Sequence, residues 1–353
     1  MAISKQSFGT LPNQVPVDLF TLTNKHGMQV KITNYGGIIT SIQVPDKNGL
    51  LGEINLGFDN LKAYLQESQP YFGAIIGRYG NRIANGKFTI AGQSYNLAQN
   101  SASNHLHGGN KGFDKVVWQA EMIEKRNIPS LILTYLSPDG QEGYPGNLTC
   151  KIIYKLTNKN ELQINYQATT DKPTVLNLTN HCYFNLKDGG ATTCLNHELR
   201  IFADAFTPVD KNTIPTGEIK SVKRTPFNFL TSKKIGARID QNNPQLKIGN
   251  GYDHNFVLKT GTNLKKAAKV IERESGRILE VFTTEPGLQL YTANWLDGSL
   301  IGHHDIAYEK RSAFCLETQH FPDSPNKPNF PATILRPDEV FQSTTVYKFS
   351  VIG

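Results

Sequence analysis

Apolar residues in this chain fall in short runs rich in β-branched and aromatic side chains, and polar turn dipeptides separate the runs. Gln29 to Tyr35, Lys87 to Leu97, Ser130 to Leu136, Leu148 to Thr170, Val270 to Thr283 and Glu339 to Ile352 read as strands. Between them stand Asn48-Gly49, Asn85-Gly86, Asp139-Gly140, Asp188-Gly189 and Asp297-Gly298, the residues that tight turns between strands prefer. Leu148 to Thr170 is long enough for a hairpin turning at Asn158-Lys159-Asn160. Helical periodicity is scarce, and Asn60 to Gln66 is the best short candidate. Many strands without intervening helices predict packed antiparallel sheets, an all-β chain folded as one large sandwich domain over 1–353.

Three predicted strands break the apolar rule on one face. In LNLTNHCYFNL (176–186), Leu176, Leu178, Cys182, Phe184 and Leu186 share one face, with Asn180 as its polar exception. The other face carries Asn177, Thr179, His181, Tyr183 and Asn185, which predicts a strand lining a cleft or solvent. Their amides, imidazole and phenol suit a polyhydroxylated ligand. In Ala313 to Phe321, Glu317 emerges within a largely apolar strand, where an unpaired carboxylate is costly. In Gly287 to Asn294, Gln289 and Tyr291 stand opposite Leu288 and Leu290. Together these faces predict a polar cleft across a sheet.

Composition narrows the function classes. Of 353 residues, 38% are hydrophobic and 19% charged, as in a folded chain with a sizeable core. The net charge of +7 comes from lysines spread singly or in pairs such as Lys233-Lys234 and Lys265-Lys266. No aromatic interleaving accompanies them, which argues against a nucleic-acid partner. Cys150, Cys182, Cys194 and Cys315 lie far apart with no zinc-like spacing, so reduced, structural thiols are expected. Neither a secretory signal nor a membrane-length apolar run is visible, and a cytoplasmic location is expected.

Loop clusters supply further polar groups. GRYGNR (77–82) joins guanidinium and amide side chains between glycines but lacks phosphate-loop spacing. NHLHGG (104–109) sets His105 and His107 two apart, half of a metal site without an evident third ligand. GYDHN (251–255) pairs Asp253 with His254 before an apolar strand.

Taken in order, NYGG (34–37), GRYGNRIANG (77–86), NHLHGG (104–109), SPDGQEGYPG (137–146), LNLTNHCYFNL (176–186), GYDH (251–254) and ETQ (317–319) resemble the aldose 1-epimerase (galactose mutarotase) family over nearly the whole chain. The resemblance implies a large twisted antiparallel β-sandwich and interconversion of the anomers of a free aldohexose such as glucose or galactose, within hexose metabolism. It implies that His181 is the general acid and Glu317 the general base. It also implies that Asn81, Arg82, His107 and Asp253 hold the sugar, with Tyr183 and Gln289 at further binding positions. No cofactor and no metal are implied, the partner is the sugar itself, and the chain acts as a monomer or homodimer.

The chemistry suits these groups. Opening the ring needs a proton at the ring oxygen while another leaves the C1 hydroxyl. An imidazole with a reference pKa of about 6.5 serves as the acid, and a glutamate raised by apolar surroundings serves as the base. Three other readings use the same residues. A hexose-6-phosphate epimerase would need an arginine or lysine cluster, for which Arg78 and Arg82 are the candidates. A glycoside hydrolase would use Asp253 and Glu317 as its carboxylates. A non-catalytic sugar-binding protein would lack the acid or the base.

Overall fold

The computed structural model describes residues 2–67, 69–125, 128–259 and 261–353. Strands dominate, and every pairing between named strands is antiparallel. The largest sheet has nine strands in the order Gln119–Lys125, Ile128–Ser137, Leu148–Leu156, Glu161–Thr170, Phe341–Val351, Arg277–Thr283, Lys265–Ile271, Glu198–Ile201 and Lys233–Lys234. An N-terminal sheet of five strands runs in simple chain order from Ala2–Thr10 to Leu51–Glu53. Alternation drives their packing. Leu148, Cys150, Ile152, Tyr154 and Leu156 point inward while the residues between them face outward. They join one apolar cluster with Val30, Ile32, Ile42, Leu162, Ile164 and Tyr166, which closes the layers into the expected sandwich.

The predicted hairpin at 148–170 forms in register, with Leu156 opposite Leu162. The segment from Val270 to Thr283 divides into the facing ends of two strands, Lys265–Ile271 and Arg277–Thr283. The expected helix is one turn, Leu61–Tyr64, capped by Asn60 Oδ1 accepting from the Ala63 N–H at 3.0 Å. A second, Pro244–Gly249, was not anticipated, although Asn243 before Pro244 is a helix-start signal. Among the described residues, no helix is long and apolar enough to cross a membrane.

A second five-stranded sheet carries the polar residues of interest. Its order is Lys220–Ser221, Ala205–Phe206, Asp253–Val257, Gly287–Tyr291 and Cys315–Gln319. Asp253 pairs with Tyr291 and Tyr291 with Cys315; Asn255 pairs with Gln289 and Gln289 with Glu317. Directly paired residues point to the same face, so the three strands present Asp253, Asn255, Gln289, Tyr291 and Glu317 together. Two of the three strands expected to share a polar face, Gly287–Tyr291 and Cys315–Gln319, do so; their partner is Asp253–Val257 and not the 176–186 segment.

The segment 174–186 departs from expectation. It is not one strand: only Thr174–Val175 and Thr179–Asn180 pair as strands, and both of its sides are buried. It threads between layers, and its main chain bonds to distant segments instead of a neighbouring strand. Asn177 N–H donates to Arg78 O, His181 N–H to Ala74 O, and Phe184 N–H to Phe314 O. The side chains of Asn177, Asn180 and Asn185 therefore meet backbone, while His181 and Tyr183 reach a cleft.

Candidate active site

A cleft of about 210 Å³ opens over the face of that sheet, lined among others by Asn81, Arg82, His107, His181, Tyr183, Asp253 and Glu317. This is smaller than the ~300–1,000 Å³ common for drug-sized ligands, a size suited to a single small polar molecule. Seven of the eight residues expected at the site thus converge on it. Gln289 does not line it. Its Nε2 donates to Asp253 Oδ1 at 2.6 Å and its Oε1 accepts from Gln319, so it stands behind Asp253.

Glu317 and His181 form the floor. His181 Nε2 lies 3.6 Å from Glu317 Oε2, and both side chains are almost fully buried. The other ring nitrogen, Nδ1, and the carboxylate Oε2 have no hydrogen-bond partner. Buried polar atoms are rarely left unpaired, and an unpartnered Glu317 Oε2 in a residue lining the cleft marks an acceptor open to a ligand. Burial pushes His181 down to about 4, partly opposed by a main-chain hydrogen bond and the Asp253 charge. Burial, aided by Asp253 and opposed by Arg82, pushes Glu317 well above the usual carboxylate range. The glutamate moves as expected. The histidine does not keep its reference value, because Tyr183 stacks on its ring at 4.9 Å and Tyr71 at 6.0 Å and exclude water.

The walls are set by backbone as much as by side chains. Asn81 and His107 both have left-handed φ, 62° and 52°. Such strain in non-glycine residues persists only where the surroundings enforce it. Arg82 Nη2 lies 3.6 Å from Asp253 Oδ2, which also places both at the cleft with hydrogen-bonding capacity left over. Tyr183 lines the cleft by its ring, because its hydroxyl donates to Pro70 O at 3.0 Å.

His107, His181 and Glu317 bring their ligand atoms within 4.8 Å of one another, a grouping that sequence spacing did not reveal. The histidine chemistry fits a metal poorly. Nδ1 of His107 accepts from Asn81 N–H, which puts the ring proton on Nε2 and leaves no free lone pair for an ion.

Several polar residues expected on sequence grounds lie elsewhere. Asn177 holds Gly80 O and the His320 N–H, and Asn185 holds Thr192 O and Ser312 O. His105 is bound by Ala98 O and Tyr144 OH, and His254 by Asp253 N–H and Gln245. Arg78 turns away from the cleft into a cage of Ser137, Pro138 and Pro145 carbonyl oxygens. Conversely, Tyr71 and Trp295, which the sequence did not single out, line the cleft beside Tyr291, whose face was expected there. Trp295 is 70% exposed at its mouth, a lone loop aromatic that no periodicity could flag.

Comparison with known proteins adds the family context. A sequence model of the family described as Aldose 1-epimerase matches residues 18–348. A galactose mutarotase of Bos taurus is 45% identical over 99% of both chains. An aldose 1-epimerase of Escherichia coli is 40% identical over 96% of both. The solved structure of a galactose 1-epimerase from Lactobacillus acidophilus superimposes with a TM-score of 0.87 at 29% identity, covering 100% of this chain and 99% of that one.

Proposed function

The chain belongs to the aldose 1-epimerase family, and on that premise we propose that it interconverts the anomers of free aldohexoses such as D-glucose and D-galactose, with His181 as acid and Glu317 as base. The observation that carries the reading is the facing pair itself: an imidazole and a carboxylate 3.6 Å apart, each with an unpartnered buried atom, on the floor of a monosaccharide-sized cleft.

In the forward step the His181 imidazolium gives its proton to the ring oxygen as the C1–O bond breaks, and Glu317 takes the proton of the C1 hydroxyl. The aldehyde rotates about C1–C2, and the reverse transfers close the ring on its other face. The pair holds one proton more than its fully deprotonated form throughout, passing between an ion pair and a neutral pair. Burial makes the imidazolium a stronger acid and the carboxylate a stronger base, so the two transfers of the forward step together relieve two buried charges. Arg82, Asp253, Asn81 and the His107 Nε2–H orient the hydroxyls, and Gln289 steadies Asp253 from behind. Tyr183 supports the His181 ring.

A neutral sugar suits the cleft better than a phosphorylated one. Arg82 is its one arginine among the described residues and already faces Asp253. We read residues 1–353 as one domain working as a monomer or homodimer in the cytoplasm, with no nucleic-acid or membrane partner. The buried free cysteines and the scattered lysines support that reading. Polarimetry of fresh α-D-glucose and α-D-galactose tests the activity: equilibration at the uncatalysed rate would end the proposal. Parallel runs with glucose 6-phosphate and a chromogenic glycoside separate the epimerase acting on phosphates and the hydrolase.

A further inference from the structure

The SPDGQEGYPG stretch (137–146) contributes nothing to the cleft, yet it is held with unusual care. Arg78 clasps it from one side, donating to Ser137 Oγ at 2.8 Å, Pro138 O at 2.8 Å and Pro145 O at 2.8 Å. Within it, Glu142 takes a left-handed φ of 53°. Its carboxylate reaches out of the turn to the loop that follows His107, where Oε2 accepts from Asn110 N–H at 2.9 Å and Oε1 from Lys111 N–H at 3.0 Å. Two charge-assisted bonds to successive peptide groups fix the direction of that loop.

The loop has little freedom to sit elsewhere. A Cβ on Gly109 would overlap the Glu142 carboxylate, and one on Gly108 would overlap the Gly77 carbonyl. Both glycines have φ above 80°, so backbone lies directly on backbone here. His107 is the residue immediately before these glycines. Its N–H donates to Asn81 O at 3.0 Å while Nδ1 accepts from Asn81 N–H at 3.1 Å. Asn100 spans the loop from the other side through Leu106 and Gly109.

We propose that Glu142 is a positioning residue for the reaction: its carboxylate holds the His107-Gly108-Gly109 turn against Gly77–Arg78 and so aims the His107 Nε2–H into the cleft. The proposal rests on His107 gripping the sugar. Glu142→Gln keeps size but leaves one acceptor oxygen and turns an amide N–H₂ toward a peptide N–H. Because the carboxylate lies near the surface, the variant should melt within about 4 °C of the wild type. Its kcat/KM should fall ~10–100-fold, mainly through KM, as small misplacements of a binding group do.

A double-mutant cycle with His107→Asn separates this role from a general structural one. If Glu142 acts through His107, Glu142→Gln causes no further loss in the His107→Asn background. The ¹⁵N spectrum of the single variant should then show the His107 tautomers mixing. Multiplied losses in the double variant, or wild-type kinetics for Glu142→Gln beside an impaired His107→Asn, would overturn the positioning role alone. Wild-type kinetics for His107→Asn would overturn the sugar-gripping role of His107 and this proposal together.

Discussion

Asn81 and His107 are locked to each other twice: the His107 N–H donates to the Asn81 carbonyl, and the Asn81 N–H donates to His107 Nδ1. The second bond decides the chemistry of the ring. Nδ1 accepts, so the proton of the neutral imidazole is on Nε2, and burial, reinforced by His181, Arg82 and His105, holds the ring neutral by pushing it well below the usual range. His107 is thus a hydrogen-bond donor toward the cleft although it sits within metal-binding distance of His181 and Glu317. Exhaustive dialysis against a chelator should leave mutarotation unchanged, and added zinc should inhibit or do nothing. Loss of activity on chelation, restored by a divalent ion, would contradict this tautomer.

The 3.6 Å approach of His181 Nε2 to Glu317 Oε2 predicts strongly coupled variants. His181→Asn and Glu317→Gln should each lower kcat by about 10²–10⁴-fold. Each transfer needs its counterpart, so the double variant should be little worse than the poorer single one. Multiplying losses would mean that the two groups act in separate steps. The measurement is polarimetry with each variant checked for an unchanged melting curve.

Much of this site was legible in the chain because strand parity is a short-range rule. Glu317, Gln289 and Tyr291 fall on one face because their strands pair in register, whereas Asp253, Asn81, Arg82 and His107 stand on loops or strand starts where parity is silent and were placed only by the family resemblance. At 174–186 parity held for His181 and Tyr183, which line the cleft, and failed for Asn177 and Asn185 for a physical reason. A polar side can face water or another segment's carbonyl groups, and only the fold decides; Asn177 and Asn185 bond to backbone. The protonation of His181 was equally out of reach, since the rings of Tyr71 and Tyr183 that dry it are brought there by tertiary packing. His105, His107 and His254 look alike in sequence and differ only in their partners.

Asp253 carries the clearest pH prediction for catalysis. Its charge helps to raise Glu317, after burial itself. Asp253→Asn removes that charge, so Glu317 should ionise at lower pH, and the acidic limb of the kcat profile attributed to it should move down. The variant also deprives Arg82 and Gln289 of their shared partner, and KM should rise by ~10–100-fold. A risen KM with an unmoved limb would show that Asp253 binds sugar without tuning the base.

Acid stability offers a test of His181 that needs no substrate. In the unfolded chain the imidazole titrates near 6.5, and in the fold burial depresses it to about 4. Between those values the unfolded state binds more protons, so folding stability present above pH 6.5 is lost as pH falls toward 4. From pH 7 to pH 5 this one group costs about 2 kcal/mol. His197 and His254, also pushed down to about 4 by burial, add to the same slope. Buried carboxylates raised by desolvation, Asp114, Glu317 and Glu53, slope the other way, so urea unfolding at the two pH values reads His181 as the difference between wild type and variant. His181→Asn should lose about 2 kcal/mol less over the same interval while His197 and His254 still contribute. An identical pH slope in the variant would mean that His181 already titrates in the fold as it does in the open chain. The pair with Glu317 would then be poised by something other than burial.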